Sequence, residues 1–207
     1  MKHATILVPH VQTANSTIAC IVGAYQLFTG ANDYWQKRGE NPLFKIETAG
    51  VANESAFING LLTIKPQVNI ASLKKTDLIL IPSLTPEFQL ALDGNIKLID
   101  WIREQYQNGA EVASMCTGAF MLASSGLLDK RSCSIHWNSA DRFRSLFPNV
   151  QLKTEKLITD ENGIYTNGGG YSFLNLLLYL VEKYYDRETA IYCSKTFQVE
   201  IDRQTQS

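Results

Sequence analysis

Glu111-Val-Ala-Ser-Met-Cys-Thr-Gly-Ala-Phe-Met-Leu-Ala123 decides how this chain is read. Residues 110–115 read as a strand, and residues 117–125 as a helix that stops at Gly126. Cys116 falls at the joint, with Ser114 two residues before it and Gly118 two after. That small-x-nucleophile-x-small spacing is the pattern of a nucleophile elbow, whose tight turn leaves no room for larger neighbours. Cys116 is therefore expected in a strained backbone conformation at the carboxyl end of a central strand, where open α/β sheets place their binding crevice. The amides that open the following helix, beginning with Thr117, are expected to point at the thiol and favour its thiolate. A cysteine after an apolar strand can also be a small buried hydrophobe. The spacing favours the elbow.

Outward from the elbow, short apolar runs alternate with helical patterns. Residues 4–9 (Ala-Thr-Ile-Leu-Val-Pro) and 77–82 (Asp-Leu-Ile-Leu-Ile-Pro) read as buried strands stopped by proline, residues 44–49 alternate like a strand, and 61–64 look like a hairpin element. Residues 132–137, Ser-Cys-Ser-Ile-His-Trp, read as the strand that follows the elbow helix. Helices are expected over 15–30, ending at Gly30, over 95–107 with Asn108-Gly109 as the stop, over the mostly apolar stretch 171–185, and from 187 to the mid-190s. Strands alternating with helices in this way define an α/β fold with a parallel sheet covered on both faces. On that fold His136, at the end of its strand, can approach Cys116 as a base. A structural imidazole in the same crevice fits the pattern equally. Gly168-Gly169-Gly170 ahead of an apolar helix reads as an anion cradle or as a tight helix entry. The apolar residues of 174–181 read as a dimer face or as core.

Composition narrows the function. Lys and Arg total 19 against 20 Asp and Glu, a formal charge of -1, whereas a phosphate-binding surface needs a basic excess. These residues by themselves do not make a DNA-reading module. Cys20, Cys116, Cys133 and Cys193 are widely spaced, with no C-x-x-C pair and no zinc-site pattern, so neither a structural metal nor a cofactor is expected. The opening apolar run is too short for a signal peptide, and no stretch is long enough to span a bilayer. A cytoplasmic protein with free thiols, making no membrane contact, is expected.

The elbow Ala113-Ser-Met-Cys-Thr-Gly-Ala-Phe120, the 77–82 strand and Gly126-Leu-Leu-Asp-Lys-Arg-Ser-Cys-Ser-Ile-His-Trp137 resemble the ThiJ/PfpI superfamily over nearly the whole chain. The resemblance implies a flavodoxin-like three-layer sandwich with a mostly parallel sheet. Within the superfamily, the chain is most similar to the N-terminal sensor domain of AraC-type transcriptional regulators. Those share the Cys-Thr-Gly-Ala-Phe elbow, the His-Trp pair, a turn like Thr166-Asn-Gly-Gly-Gly-Tyr171, and an Asp-Arg-x-x-Gln linker like residues 202–206. The resemblance implies a domain over 1–198 and, over 199–207, the start of a linker to a helix-turn-helix domain outside this chain. It assigns Cys116 and His136 to the catalytic or vestigial position, and Cys20, Ser83, Leu84, Thr117 and Gly169 to the ligand pocket. The implied partners are a small-molecule ligand at Cys116, a second copy in a homodimer, and DNA through the further domain alone.

Two departures bear on catalysis. Superfamily enzymes keep a carboxylate on the first helix, and Cys20 stands at the matching position. The turn after the 77–82 strand is commonly Gly-Gly, with an amide for an oxyanion; here it is Ser83-Leu84. A sensor without turnover is thus expected, with a stand-alone Cys-His hydrolase, hydratase or glyoxalase-like enzyme as the alternative. A redox or electrophile sensor, or a reversible Cys20–Cys116 disulfide, are weaker readings.

Overall fold

The computed structural model describes residues 1–10, 15–85, 87–201 and 205–206. In chain order the elements are β1 (Lys2–Leu7), α1 (Asn15–Lys37), β2 (Phe44–Gly50), β3 (Ser55–Phe57), β4 (Leu62–Ile64), β5 (Val68–Asn69) and β6 (Leu78–Ile81), then α2 (Phe88–Gly94), α3 (Ile96–Gln107) and β7 (Glu111–Ser114). They continue with α4 (Ala119–Ser124), β8 (Ser132–Cys133), α5 (Ala140–Leu146), β9 (Gln151–Leu152), β10 (Ile158–Glu161), β11 (Ile164–Asn167), α6 (Phe173–Tyr184) and α7 (Arg187–Phe197). The main sheet has the order β10-β11-β7-β6-β1-β2-β5. All its pairings are parallel except β10 with β11.

The sheet is apolar on both faces because helices cover both. On one side α1, α6 and α7 pack together, and Leu27, Phe28, Leu177 and Val181 close over Ile6, Leu80 and Ala113. On the other, α2 to α5 bring Phe88, Ile102, Phe120 and Phe143 against Ile79, Ile81 and Val112. Phe88 stacks on Phe120 at 3.6 Å, with Phe143 edge-on. This is the flavodoxin-like three-layer α/β sandwich read from the sequence.

Two elements differ from that reading. First, α1 runs through Gly30 to Lys37. Glycine costs a helix interior only about 1 kcal/mol, and past it Ala31 and Asn32 are buried. The Asn32 side chain meets the backbone of Leu43 and Phe44 and the hydroxyl of Tyr185, which pins the last turns to the entry of β2.

Second, residues 132–137 do not add a strand to the main sheet. Only Ser132–Cys133 is extended, paired with β9 in a separate two-stranded sheet. The Ser134 amide donates to the Thr166 hydroxyl at 2.6 Å, so a side chain takes the place of a ladder partner and the strand ends there. The strand beside β7 is β11, which arrives through the β10–β11 hairpin.

Of the two readings of residues 174–181, the structure takes the core one. Leu176, Leu177, Leu178, Leu180 and Val181 are fully buried, which leaves Tyr179 as the exposed member of that stretch. Among the described residues, no helix is long and apolar enough to cross a membrane.

Candidate functional site

Cys116 sits where β7 ends, and its φ is +53°. A left-handed conformation costs a non-glycine residue on the order of 1–3 kcal/mol and persists only when its surroundings hold it. The holding contacts are explicit. The Cys116 amide donates to Asn167 Oδ1 at 2.7 Å, and Asn167 Nδ2 donates onward to Ser172 Oγ at 3.0 Å. At Gly118 an added Cβ would stand 2.6 Å from the Pro82 carbonyl oxygen and 2.8 Å from that of Ile81. Ser114 is fully buried, and among the described residues its hydroxyl has no hydrogen-bond partner. Both small residues flanking the elbow are thus buried, and at Gly118 a larger side chain would not fit.

The turn after β6 clamps the elbow from the other side. Thr117 Oγ1 donates to the Leu84 carbonyl at 2.8 Å and accepts the Leu84 amide at 2.9 Å. The amide that an oxyanion would use is therefore engaged by Thr117. Ser83 ties the same turn to α1: its carbonyl accepts from Thr17 Oγ1 at 2.7 Å, and its hydroxyl donates to Ser16 at 2.7 Å. The Cys20 thiol lies 3.8 Å from Ser83 Oγ and is nearly inaccessible, at 1% exposure. Burial pushes it up to about 12, with nearby Cys116 a smaller contributor, so Cys20 is a neutral thiol beside Ser83. Both cysteines are free thiols.

Cys116 retains 8% exposure. Burial raises its pKa above the ordinary thiol value, opposed by the amides of Gly170 and Thr117 and by the Thr117 hydroxyl. The amide dipoles act in the expected direction, but desolvation outweighs them. Cys116 is a thiol at neutral pH, where the sequence pointed to a thiolate.

His136 is half-buried at the entrance to the short turn Trp137–Ser139, and its Nδ1 accepts the Asn138 amide at 3.2 Å. Its ring lies against Gly169: a Cβ there would fall 2.0 Å from His136 Cδ2. Among the described residues no hydrogen bond joins His136 to Cys116. The Gly168–Gly170 turn meets the imidazole through Gly169 and the sulfur through Gly170. Gly169 has φ +51° and ψ 168°, a combination that only glycine adopts readily. A cavity of about 500 Å³ adjoins this turn, lined among others by His136, Trp137, Tyr171, Asn175, Glu200 and Gln206. Cys116 lies outside its lining.

The structure thus brings Cys116, Thr117, Leu84, Ser83 and Cys20 together and sets His136 against Gly169 of the glycine turn. Sequence reasoning missed Asn167, and it read Gly170 within the Gly168–Gly170 stretch as an anion cradle or a tight helix entry. The signal for Asn167 was an amide residue ending an apolar strand ahead of three glycines.

A mostly parallel sheet whose central strand delivers a cysteine into a left-handed turn, clamped by the neighbouring loops, defines the cysteine-elbow class of α/β proteins. This chain belongs to the DJ-1/PfpI family, whose model matches residues 40–183. It is 31% identical over 108 residues to the HTH-type transcriptional regulator GbdR of Pseudomonas aeruginosa, covering 52% of this chain and 29% of that protein. An isonitrile hydratase of Pseudomonas putida is 25% identical over 62% of this chain and 54% of its own length. A solved structure of a putative transcriptional regulator from Vibrio parahaemolyticus superposes with a TM-score of 0.81 at 23% identity, covering 94% of this chain and 98% of that one. At that identity it shows the fold alone.

Proposed function

We propose that the chain is the signal-sensing domain of an AraC-type transcriptional regulator, and that its Cys116 crevice binds a small molecule without turning it over. DNA is contacted by a separate segment, since the charge of -1 gives this domain no basic excess to offer phosphates. The protein acts in the cytoplasm as a homodimer. The observation that carries this reading is the chemistry around the elbow. Desolvation holds Cys116 as a thiol, Thr117 occupies the Leu84 amide, and Cys20, a thiol raised to about 12, stands where the family's enzymes keep a carboxylate. Catalysis by thiol addition needs a nucleophile ionised near neutrality and a free oxyanion donor. Binding needs neither. The similarity to GbdR supports the same reading.

The test is the reading frame past Ser207, with a turnover assay on the purified chain. A continuation of about 100 residues holding two helix-turn-helix units, with no turnover, supports the sensor. A stop codon together with hydration of an isonitrile or an α-oxoaldehyde overturns it. That second outcome is the cysteine-hydratase reading, favoured by the strained elbow at φ +53° and by the similarity to the isonitrile hydratase.

A further inference from the structure

The C-terminal segment is part of the wall beside the site. Phe197, Gln198, Val199, Glu200 and Gln206 line the cavity that His136 and the glycine turn also line. The segment is held at two points. Near its start, the Val199 amide donates to the Ser194 carbonyl at 3.0 Å, Asn175 Nδ2 donates to the Glu200 carbonyl at 2.5 Å, and Val199 and Ile201 pack on the core. Near its end, Thr205 bridges Lys156 in antiparallel fashion.

Beside that bridge, Gln206 Nε2 lies within reach of three carbonyl oxygens: Thr154 at 2.6 Å, Ile135 at 3.1 Å and Lys156 at 3.3 Å. The carboxamide thus fills a nest of backbone acceptors. Its body rests on Gly168, where an added Cβ would fall 2.2 Å from Gln206 Cδ. The absence of a side chain at 168 makes the room for it.

Gly168 belongs to the turn that serves Cys116. Its carbonyl accepts the Ser172 hydroxyl at 2.6 Å. Ser172 Oγ accepts from Asn167 Nδ2 at 3.0 Å, and Asn167 Oδ1 accepts the Cys116 amide at 2.7 Å. One continuous chain of contacts therefore runs from the elbow to the carboxamide of Gln206, through polar groups that are buried or half-buried.

We propose that Gln206 is a latch that holds the C-terminal segment on the domain, and that the Gly168–Gly170 turn couples this latch to the state of Cys116. The proposal rests on the sensing reading and supplies its output step. Bulk added at Cys116 displaces the turn, Gly168 moves, and the carboxamide leaves its nest. Coupling of this kind is reciprocal, so releasing the latch must also loosen the elbow.

The test uses this chain alone, without DNA or a natural ligand, so it can fail while the sensing reading stands. Amide hydrogen exchange is followed in residues 197–201, and the rate of Cys116 alkylation by iodoacetamide is measured by mass spectrometry. Gln206→Ala removes the donor, and Gln206→Glu turns a carboxylate onto three carbonyls; each is expected to speed exchange in 197–201 by about tenfold, leaving β1 and β6 unchanged. Both variants are expected to accelerate Cys116 alkylation, and alkylation of the unsubstituted chain is expected to speed exchange in 197–201. Cys116→Ser, treated identically, is expected to show no such change. Unaltered exchange in both Gln206 variants overturns the latch. A freed segment with unaltered Cys116 alkylation, or an alkylated chain with unaltered exchange, overturns the coupling.

Discussion

The amide of Cys116 is satisfied by the side chain of Asn167, at 2.7 Å, and, among the described residues, by no backbone acceptor of the sheet. The turn at φ +53° swings this N–H out of the β7 ladder, and an amide buried at that depth needs a partner. Asn167→Ala removes the acceptor and also strips Ser172 of its donor. A buried donor left unsatisfied costs about 1–3 kcal/mol. The variant is therefore expected to lose about 2–3 kcal/mol in urea denaturation. Asn167→Asp, which keeps the acceptor, is expected to lose less. Equal losses in the two variants would contradict this role for Oδ1.

Gly118 provides a test whose sign is informative. Its φ of −56° is ordinary helical backbone, where Gly→Ala normally stabilises by about 0.4–1 kcal/mol. Here the new methyl would meet two backbone carbonyl oxygens of residues 81 and 82, at 2.8 and 2.6 Å, and neither can rotate away. Gly118→Ala is expected to destabilise by about 1–3 kcal/mol instead. Thermal unfolding of the variant decides it, and a raised melting temperature counts against a crowded elbow.

The elbow was legible because its requirement is local: the glycine two residues after Cys116 reflects the Ile81 and Pro82 carbonyls that crowd it. The layers were legible too, since Ile6, Ile79 and Val112 lie in runs buried on both faces of a sheet. What failed was placement decided at long range. Residues 132–137 carry a strand-like pattern, yet Thr166, 32 residues from Ser134, takes the ladder's bond and ends the strand. The place of His136 follows from that, and a sequence gives no local sign of it. Asn167 escaped notice because its work is to hold another residue's backbone, which leaves no periodic mark.

The packing of His136 on Gly169 can be measured as a coupling. Gly169→Ala pays for both its conformation, φ +51° with ψ 168°, and a Cβ 2.0 Å from the imidazole. His136→Gly relieves the second cost but not the first, since His136 Cβ also lies 2.5 Å from the added methyl. The single change at 169 is expected to cost at least about 2–3 kcal/mol, and the double variant to recover about 1–2 of it, since residues in contact do not add. Strict additivity across the cycle would mean that the two groups do not touch.

The buried thiols make stability sensitive to alkali. Cys20 and Cys133 are both pushed from 9.0 up to about 12 by burial, and Cys116 shifts in the same direction. A raised thiol pKa means that the folded state holds its proton after the unfolded chain has released it. The stabilisation is therefore complete below the unfolded value near 9 and is lost as pH rises from there toward about 12. In that window each buried thiol contributes a slope on the order of 1 kcal/mol per pH unit. Tyr165 and Tyr184, raised by burial and by their shared acceptor Glu111, act in the same sense. Urea midpoints are expected to be flat between about pH 7 and 8.5 and to fall steeply above about 9. Cys133→Ala, despite a lower midpoint at neutral pH, is expected to show a shallower alkaline decline, because one proton-holding group is gone. Parallel declines in the variant and the unsubstituted chain would show that the Cys133 thiol is not held protonated by its burial.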